Sequence, residues 1–337
     1  MPGDAKRRLR RAVGLSLLFA PGALFLARPA RPQGGARTVR LGYLDSGWAA
    51  PESEALLDSF RRGLRDLGYK EGSNLSLEYR WAEGRYERLP ALARALAEKK
   101  PDLIVAAEAQ AARAARQAAP DLPIVVVAAA DPVGFGLIKS LARPGRNLTG
   151  LANVGPELTA KHLELLKETA PAVTRVAVLW NAANPIEVRL WRGRQTAAQA
   201  LGLELISIEV RSPEDISREL AAMLAQKPQA LHLFAEPVLH GRRNEIVAFA
   251  EKQRLPLVSD AADVTAAGGL MSYGVYLPAL YHRAARFVAR ILRGGNASDL
   301  PVEQPSRFEL VINLRTARSL GLAIPPSILV LADRVIE

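Results

Sequence analysis

Apolar and polar positions follow two periods along this chain, which together predict an ordered series of strands and helices. Residues 124–130 (IVVVAAA) form an apolar run without polar alternation, which is typical of a strand buried on both faces of a parallel sheet. The run leads into Asp131 and Pro132, which we interpret as the N-cap and the first residue of a helix. Open α/β sheets bind their ligands where a strand ends in this way.

The rest of the first half alternates strands with helices. Short apolar segments predict strands, and leucines or alanines at three- and four-residue spacing predict the helices between them. The predicted strands cover residues 39–44, 75–81 and 103–107, and the predicted helices cover residues 56–67, 89–96 and 111–119. This alternation indicates right-handed βαβ units in a doubly wound sheet.

The second half of the chain repeats residue pairs that end helices or precede strands in the first half. Leu67-Gly68 recurs as Leu201-Gly202, Lys100-Pro101 as Lys227-Pro228, and Leu122-Pro123 as Leu255-Pro256, in the same order and at nearly the same offset. Each pair alone is common at helix ends or before strands. Three pairs that recur in the same order and at nearly the same offset predict two similar α/β lobes.

The chain continues beyond the second repeat, and the surplus predicts that its tail crosses back between the lobes. The tail contains a predicted amphipathic helix at residues 280–292, an extended segment at 301–305, a short strand at 310–312 and a small helix at 316–320. We predict that the first lobe comprises residues 38–150 plus 276–303, and the second lobe residues 151–275 plus 304–337. The candidate hinges are residues 149–153, 272–275 and 302–308.

The N-terminus has the pattern of a signal peptide. A basic segment precedes the apolar residues 12–26, which are too few for an ordinary membrane span. We therefore set residues 1–36 apart as signal peptide and linker and expect a periplasmic protein, with an uncleaved anchor as the alternative. The chain has no cysteine, which excludes disulfides, thiolate chemistry and lipid attachment through an N-terminal Cys.

Charge and motifs narrow the class of function. Residues 1–31 carry seven Lys or Arg and one Asp, so the rest of the chain has a net charge of +5 instead of +11. Its basic residues form no stripe with aromatics, and we expect no nucleic-acid partner. The four histidines lack metal-ligand spacing, and the common hydrolase, P-loop, zinc-protease and dinucleotide motifs are absent from the sequence. We expect no metal, no cofactor and no catalysis.

Acidic residues follow most of the predicted strands and are the candidates for ligand binding. The strand ends carry Asp45, Glu108 and Asp131 in the first lobe, and Asn181, Glu236 and Asp260 in the second. Because the carboxyl ends of parallel strands line the cleft, these acids suit an ammonium group, and nearby helix N-termini suit a carboxylate. An amino acid or another amine-bearing solute satisfies both. The alternative role is capping or turn formation, for which Glu108 and Glu236 are the poorer residues.

Two aromatic residues are further candidates. Trp48 follows the first strand, and Tyr273 lies near a predicted hinge. Either ring suits stacking on a ligand, although loop aromatics are as often half-buried for packing alone.

Six stretches of this chain resemble the ABC-transporter substrate-binding proteins of the family that includes tryptophan- and tyrosine-type binding proteins. They are residues 60–72 (FRRGLRDLGYKEG), 79–90 (YRWAEGRYERLP), 131–150 (DPVGFGLIKSLARPGRNLTG), 175–185 (RVAVLWNAANP), 268–274 (GGLMSYG) and 300–314 (LPVEQPSRFELVINL). The resemblance covers nearly all of residues 38–337. It implies a type I periplasmic-binding fold, in which two Rossmann-like doubly wound lobes are joined by three crossovers.

The resemblance also implies where the ligand binds. Its contacts correspond here to the segment from Ser46 to Trp48, to Glu108, Ala109 and Gln110, and to Asp131, Asn181, Glu236 and Asp260. Family members commonly have a Gly-Thr-Pro-like turn at the position of Glu108-Ala109-Gln110. The missing hydroxyl and the added carboxylate favour a cationic or otherwise different solute here.

We therefore expect a monomeric solute-binding component of an ABC-type importer. It would capture a small molecule between its lobes by hinge closure and deliver it to an ABC permease in the membrane. The alternatives are a ligand-sensing receptor for a signalling partner and a small-molecule enzyme on the same fold.

Overall fold

The computed structural model describes residues 37–154, 156–234 and 236–337. The predicted signal peptide and linker lie outside these residues. The described part of the chain holds two β-sheets, each covered by helices on both faces.

The first sheet has five parallel strands in the order β2-β1-β3-β4-β5. They are β1 (Val39–Asp45), β2 (Leu75–Trp81), β3 (Leu103–Ala106), β4 (Ile124–Ala130) and β5 (Leu148–Asn153). The strand predicted from the apolar run is confirmed as β4, a nearly fully buried strand between two parallel neighbours. Its lack of polar alternation follows from helices covering both faces of the sheet.

Four helices cover this sheet, and one of them comes from the far end of the chain. They are α1 (Pro51–Asp66), α2 (Leu89–Glu98), α3 (Ala109–Ala118) and α10 (Leu277–Leu292). Helices α1 and α10 share one core cluster with the sheet, and α2 and α3 share the other. The tail therefore returns to the first sheet, as the surplus beyond the second repeat predicted.

The second sheet has seven strands in the order β12-β11-β10-β9-β8-β6-β7, and only β10 and β11 among them pair antiparallel. They are β6 (Arg175–Asn181), β7 (Glu204–Val210), β8 (Ala230–Leu233), β9 (Leu257–Ser259), β10 (Met271–Val275), β11 (Phe308–Asn313) and β12 (Arg334–Ile336). The helices around it are α4 (Pro156–Thr169), α5 (Pro185–Ala200), α6 (Ile216–Met223), α7 (Pro237–His240), α8 (Arg243–Lys252), α9 (Ala262–Ala266), α11 (Leu314–Leu320) and α12 (Pro326–Leu331). The prediction of two α/β lobes from the sequence repeat is thus confirmed.

Three connections join the two sheets, and they lie side by side. The chain leaves the first sheet after β5, returns to it between β10 and α10, and leaves it again before β11. The last connection runs along β5, where Glu303 N–H donates to the Gly150 carbonyl (3.0 Å) and Ala152 N–H donates to the Glu303 carbonyl (2.8 Å). Strand β5 continues to Asn153, beyond the boundary predicted at residue 150.

The prediction that a helix begins at Pro132 is wrong. Residues 131–137 form a series of turns instead, and no helix lies between β4 and β5, a segment that the structure describes in full. Asp131 has a φ of 39°, and its Oδ1 accepts from Gly134 N–H at 2.9 Å, so the side chain closes a turn. Gly134 and Gly136 weaken a helix here, and the positive φ of Gly136 (72°) interrupts it.

Candidate functional site

A cavity of about 130 Å³ lies where the carboxyl ends of strands from both sheets meet. The side of the first lobe contributes Tyr86, Glu108, Ala109, Gln110, Ala128, Ala130 and Asn153. The side of the second lobe contributes Val154, Leu158, Asn184, Ile186, Glu187, Leu190, Arg194, Phe234, Glu236, Pro237 and Asp260. The cavity therefore belongs to both lobes and exists because they approach each other.

Glu108 brings a carboxyl group to the first side of the cavity. It follows β3 and occupies the N-cap of α3, where its Oε1 accepts from Ala111 N–H at 2.9 Å. Ser46, which is fully buried after β1, lies against the same carboxyl. Burial, together with the negative charge of Asp45, raises the pKa of Glu108 to about 8.

Glu236 brings a second carboxyl group from the opposite lobe. It caps α7 through Val238 N–H (2.9 Å), and its Oε1 accepts from Asn181 Nδ2 at 2.9 Å and from the Tyr86 hydroxyl. Burial raises the pKa of Glu236 to about 7, against the hydrogen bonds, which favour the ionised form. Tyr86 belongs to the first lobe, so this carboxyl is held by groups from both sides.

A buried ion pair forms another wall of the cavity. Arg194 on α5 is 2% exposed and donates from Nη1 to Glu187 Oε2 at 2.7 Å. Its guanidinium lies over the ring of Phe234, with Cζ 3.7 Å from the ring centroid. Asp260 also lines this side, which places several carboxylates and one guanidinium around a single space.

Polar contacts bridge the two lobes around the cavity. Gln110 Nε2 donates to Asn184 Oδ1 at 2.6 Å, and Arg85 Nη2 donates to Glu214 Oε1 at 2.6 Å. Arg243 on α8 pairs with Glu52 on α1. The two lobes therefore contact each other directly on several sides of the cavity.

Half of the predicted binding residues line the cavity. They are Glu108, Ala109, Gln110, Glu236 and Asp260. Asn181 and Ser46 lie behind them and contact Glu236 and Glu108, respectively. Glu108 and Glu236, although poor caps by residue type, each cap a helix as well.

The other three predicted residues lie elsewhere. Trp48 occupies a separate groove between the lobes, together with Arg85 and Glu214. Asp131 faces the second lobe and pairs with Arg189 (Nε to Oδ2, 3.2 Å), so it does not meet Asp260 in the cavity.

Tyr273 packs inside the second lobe. Its ring stacks on Phe308 with centroids 5.7 Å apart, because β10 and β11 place the two residues on one face of the sheet. Tyr273 is half-buried and packs against the core of the second lobe.

Sequence reasoning missed Tyr86 and Arg194, and for Arg194 a signal was present. Ile186, Leu190, Arg194 and Ala198 recur every four residues on α5 and form its buried stripe. A single arginine in an apolar stripe indicates a buried charge with a specific role. Tyr86 lies in a short 3₁₀ helix with no comparable pattern.

Two features were not found in the part of the chain that the structure describes. Within residues 37–154, 156–234 and 236–337, no group of three or more His, Cys, Asp and Glu side chains is arranged to hold a metal ion. In the same residues, no helix has both the length and the apolar character needed to cross a membrane.

Comparison with protein families gives one match over most of the chain. A family model described as ABC transporter substrate binding protein matches residues 50–336. A tyrosine-binding protein from Clostridioides difficile is 24% identical over 272 residues, which cover 81% of this chain and 78% of that protein.

Solved structures share the architecture. The ABC domain of Streptococcus pneumoniae in complex with L-Trp superposes with a TM-score of 0.82 and 25% identity, covering 89% of this chain and all of that chain. A conserved domain protein from Vibrio cholerae superposes with a TM-score of 0.83 and 28% identity over the same shares of the two chains.

Proposed function

This chain belongs to the ABC transporter substrate-binding protein family, and on that premise we propose that it is the solute-binding component of an ABC importer. The solute is an amino acid or another amine-bearing molecule held in the cavity between the lobes. The ligands of the relatives support this class, since one is a tyrosine-binding protein and another was solved with L-Trp.

The observation that carries the proposal is the composition of the cavity wall, which comes from both lobes. A solute between Glu108 and Glu236 contacts both lobes only when they are together. Binding therefore favours the closed state through contacts that the open state lacks. Closure would proceed about the three connections. It would bring together a first lobe, predicted as residues 38–150 plus 276–303 and extended to Asn153 by β5, and a second lobe that comprises the rest of residues 151–275 plus 304–337.

Transport requires two further steps, which we propose from family membership and the N-terminal pattern. Residues 1–36 export the protein to the periplasm, and the closed, loaded monomer docks on an ABC permease in the membrane. No bond is made or broken in the bound solute, in keeping with a family of transport proteins rather than enzymes.

Ligand-dependent stabilisation and compaction test the proposal together. The purified protein is screened against the L-amino acids and their decarboxylated amines by thermal unfolding. We expect a binder at about 100 times its Kd to stabilise the protein by about 2.7 kcal/mol, and the radius of gyration from small-angle scattering to fall in its presence. We expect Glu236→Ala to reduce both effects.

An unchanged radius of gyration with a saturating binder would contradict hinge closure. No stabilisation by any of these solutes would contradict the amine-bearing class, and consumption of a solute would contradict a purely binding role.

A further inference from the structure

The largest fully buried side chain of the described residues is a charged one, Arg194, and it lines the cavity. Burial of a guanidinium is costly unless its donors are hydrogen-bonded and its charge is paired. Glu187 supplies a counter-charge, and its carboxylate accepts a hydrogen bond from Arg194 Nη1. Arg194 Nε, in contrast, is buried and has no hydrogen-bond partner among the described residues.

The surroundings hold the guanidinium in one plane. Phe234 lies under it at 3.7 Å, and Glu187 anchors one edge. A guanidinium fixed in this way presents its remaining N–H groups as a fork, which matches a carboxylate better than it matches any neutral acceptor.

The nearby histidines do not compete for an anion. His162 and His232 are buried and bonded to each other, Nδ1 to Nε2 at 2.9 Å. Burial and the charge of Arg194 lower the pKa of both, that of His162 to about 4, so the pair is neutral at ordinary pH. Arg194 is the cation of this part of the cavity.

We propose that Arg194 binds the carboxylate of the solute and thereby restricts the site to zwitterionic amino acids, excluding simple amines. The inference rests on the proposed solute-binding function and adds a specificity-determining residue to it. Glu108 and Glu236 would then face the ammonium end, and Glu187 would act as a positioning residue that orients the guanidinium.

The test compares each amino acid with its amine by isothermal titration calorimetry. The probes are L-tryptophan with tryptamine and L-tyrosine with tyramine, each pair differing by the carboxylate alone. For whichever pair binds, we expect the wild-type protein to bind the amino acid at least tenfold more tightly than the amine. Arg194→Gln should remove this preference by weakening the amino acid at least tenfold and leaving the amine within about twofold.

Arg192→Gln is the matched control, because Arg192 lies on the same helix and is exposed. It removes one positive charge and should leave the preference intact. If Arg194→Gln does not fold, Arg194→Lys, which keeps the charge and removes the planar fork, takes its place in the same comparison.

Equal affinity of the wild-type protein for amine and amino acid would overturn the role of Arg194 and leave the solute-binding function standing. A preference that survives in a folded Arg194→Gln protein would also overturn it. Failure of all four probes to bind would overturn the inference and leave the broader solute-binding function standing, whereas turnover of any probe would contradict the binding function itself.

Discussion

Glu108 and Glu236 occupy N-cap positions, where Ser, Thr, Asp and Asn are the usual residues. A carboxyl oxygen of each caps its helix, and both residues line the cavity. Burial raises the pKa of Glu108 to about 8 and that of Glu236 to about 7. A solute ammonium group beside them would favour their ionised forms and return the proton to solvent. Capping and ligand binding are therefore compatible roles for one carboxylate.

The raised pKa of Glu108 predicts how the stability of the ligand-free protein depends on pH. The folded carboxyl keeps a proton up to about pH 8 that the unfolded chain releases near 4.5, so its contribution is present below pH 4.5 and is lost as the pH rises toward 8. The lowered pKa of His162 has the opposite effect on stability, because it reduces the free energy of unfolding as the pH falls from 6.5 toward 4. Above pH 6.5, Glu108 acts up to about pH 8, and Glu236, with its pKa raised to about 7, acts in the same direction.

We expect the free energy of unfolding to decrease over this range, by up to about 1.4 kcal/mol per pH unit for each such carboxyl. Glu108→Gln should flatten the decrease, whereas Asp121→Asn, at an exposed carboxylate of the same lobe, should not. Urea unfolding at several pH values measures it. A wild-type curve that is flat or rising from pH 6.5 to 8 would contradict the assignment.

Helix α10 shows how one element ties the end of the chain to its beginning. It follows β10 of the second sheet, yet its apolar face is buried against α1 of the first. The approach is close at Gly63, where an added Cβ would lie 2.9 Å from Ala285 Cβ and would also meet the His282 carbonyl of α10. Gly63 therefore permits the helices to pack at short range.

Gly63→Ala should destabilise the protein by about 1–3 kcal/mol, because the extra methyl group overpacks this helix contact despite its better helix propensity. Arg62→Ala, at the neighbouring exposed position, should change stability by no more than about 0.5 kcal/mol. Chemical unfolding of both variants provides the comparison. A Gly63→Ala protein as stable as the wild type would show that the two helices can separate without cost.

At the scale of the whole molecule, the two lobes also contact each other outside the cavity. Trp48 of the first lobe lies against Gly84 of its own lobe and Gly241 of the second. A Cβ at Gly241 would lie 2.5 and 2.6 Å from two atoms of the indole ring. Trp48, which remains a predicted ligand contact, fills a space that two glycines leave open between the lobes.

Gly241→Ala should therefore weaken solute binding about tenfold, since the backbone at φ −63° accepts Ala and the clash with Trp48 arises only on closure. In a Trp48→Ala background, the same substitution should have no effect on affinity. Calorimetry on the four proteins of this cycle measures the coupling. Equal effects of Gly241→Ala with and without the indole would disprove the contact.

Local patterns were sufficient to predict most of the elements, the two-lobe repeat, the returning tail and the acidic strand ends. Each follows from residues that lie close together in the sequence. The apolar run of β4 is one example, and the helix-ending pair Leu67-Gly68 is another. The turn after Asp131 escaped prediction because a cap and a tight turn use the same residue types, and glycine conformation decided between them.

Only the tertiary structure decided which side chains share the cavity. Trp48 and Asp131 follow strand ends, but the approach of the lobes directs both to other contacts. Tyr273 lies within β10, where its ring stacks on Phe308. Arg194 reaches the cavity because α5 turns its buried stripe toward Phe234, and Glu187 on the same helix pairs with the guanidinium. The position of a strand end can be predicted from the sequence around it. A site between two lobes depends on how the surfaces of the lobes pack together.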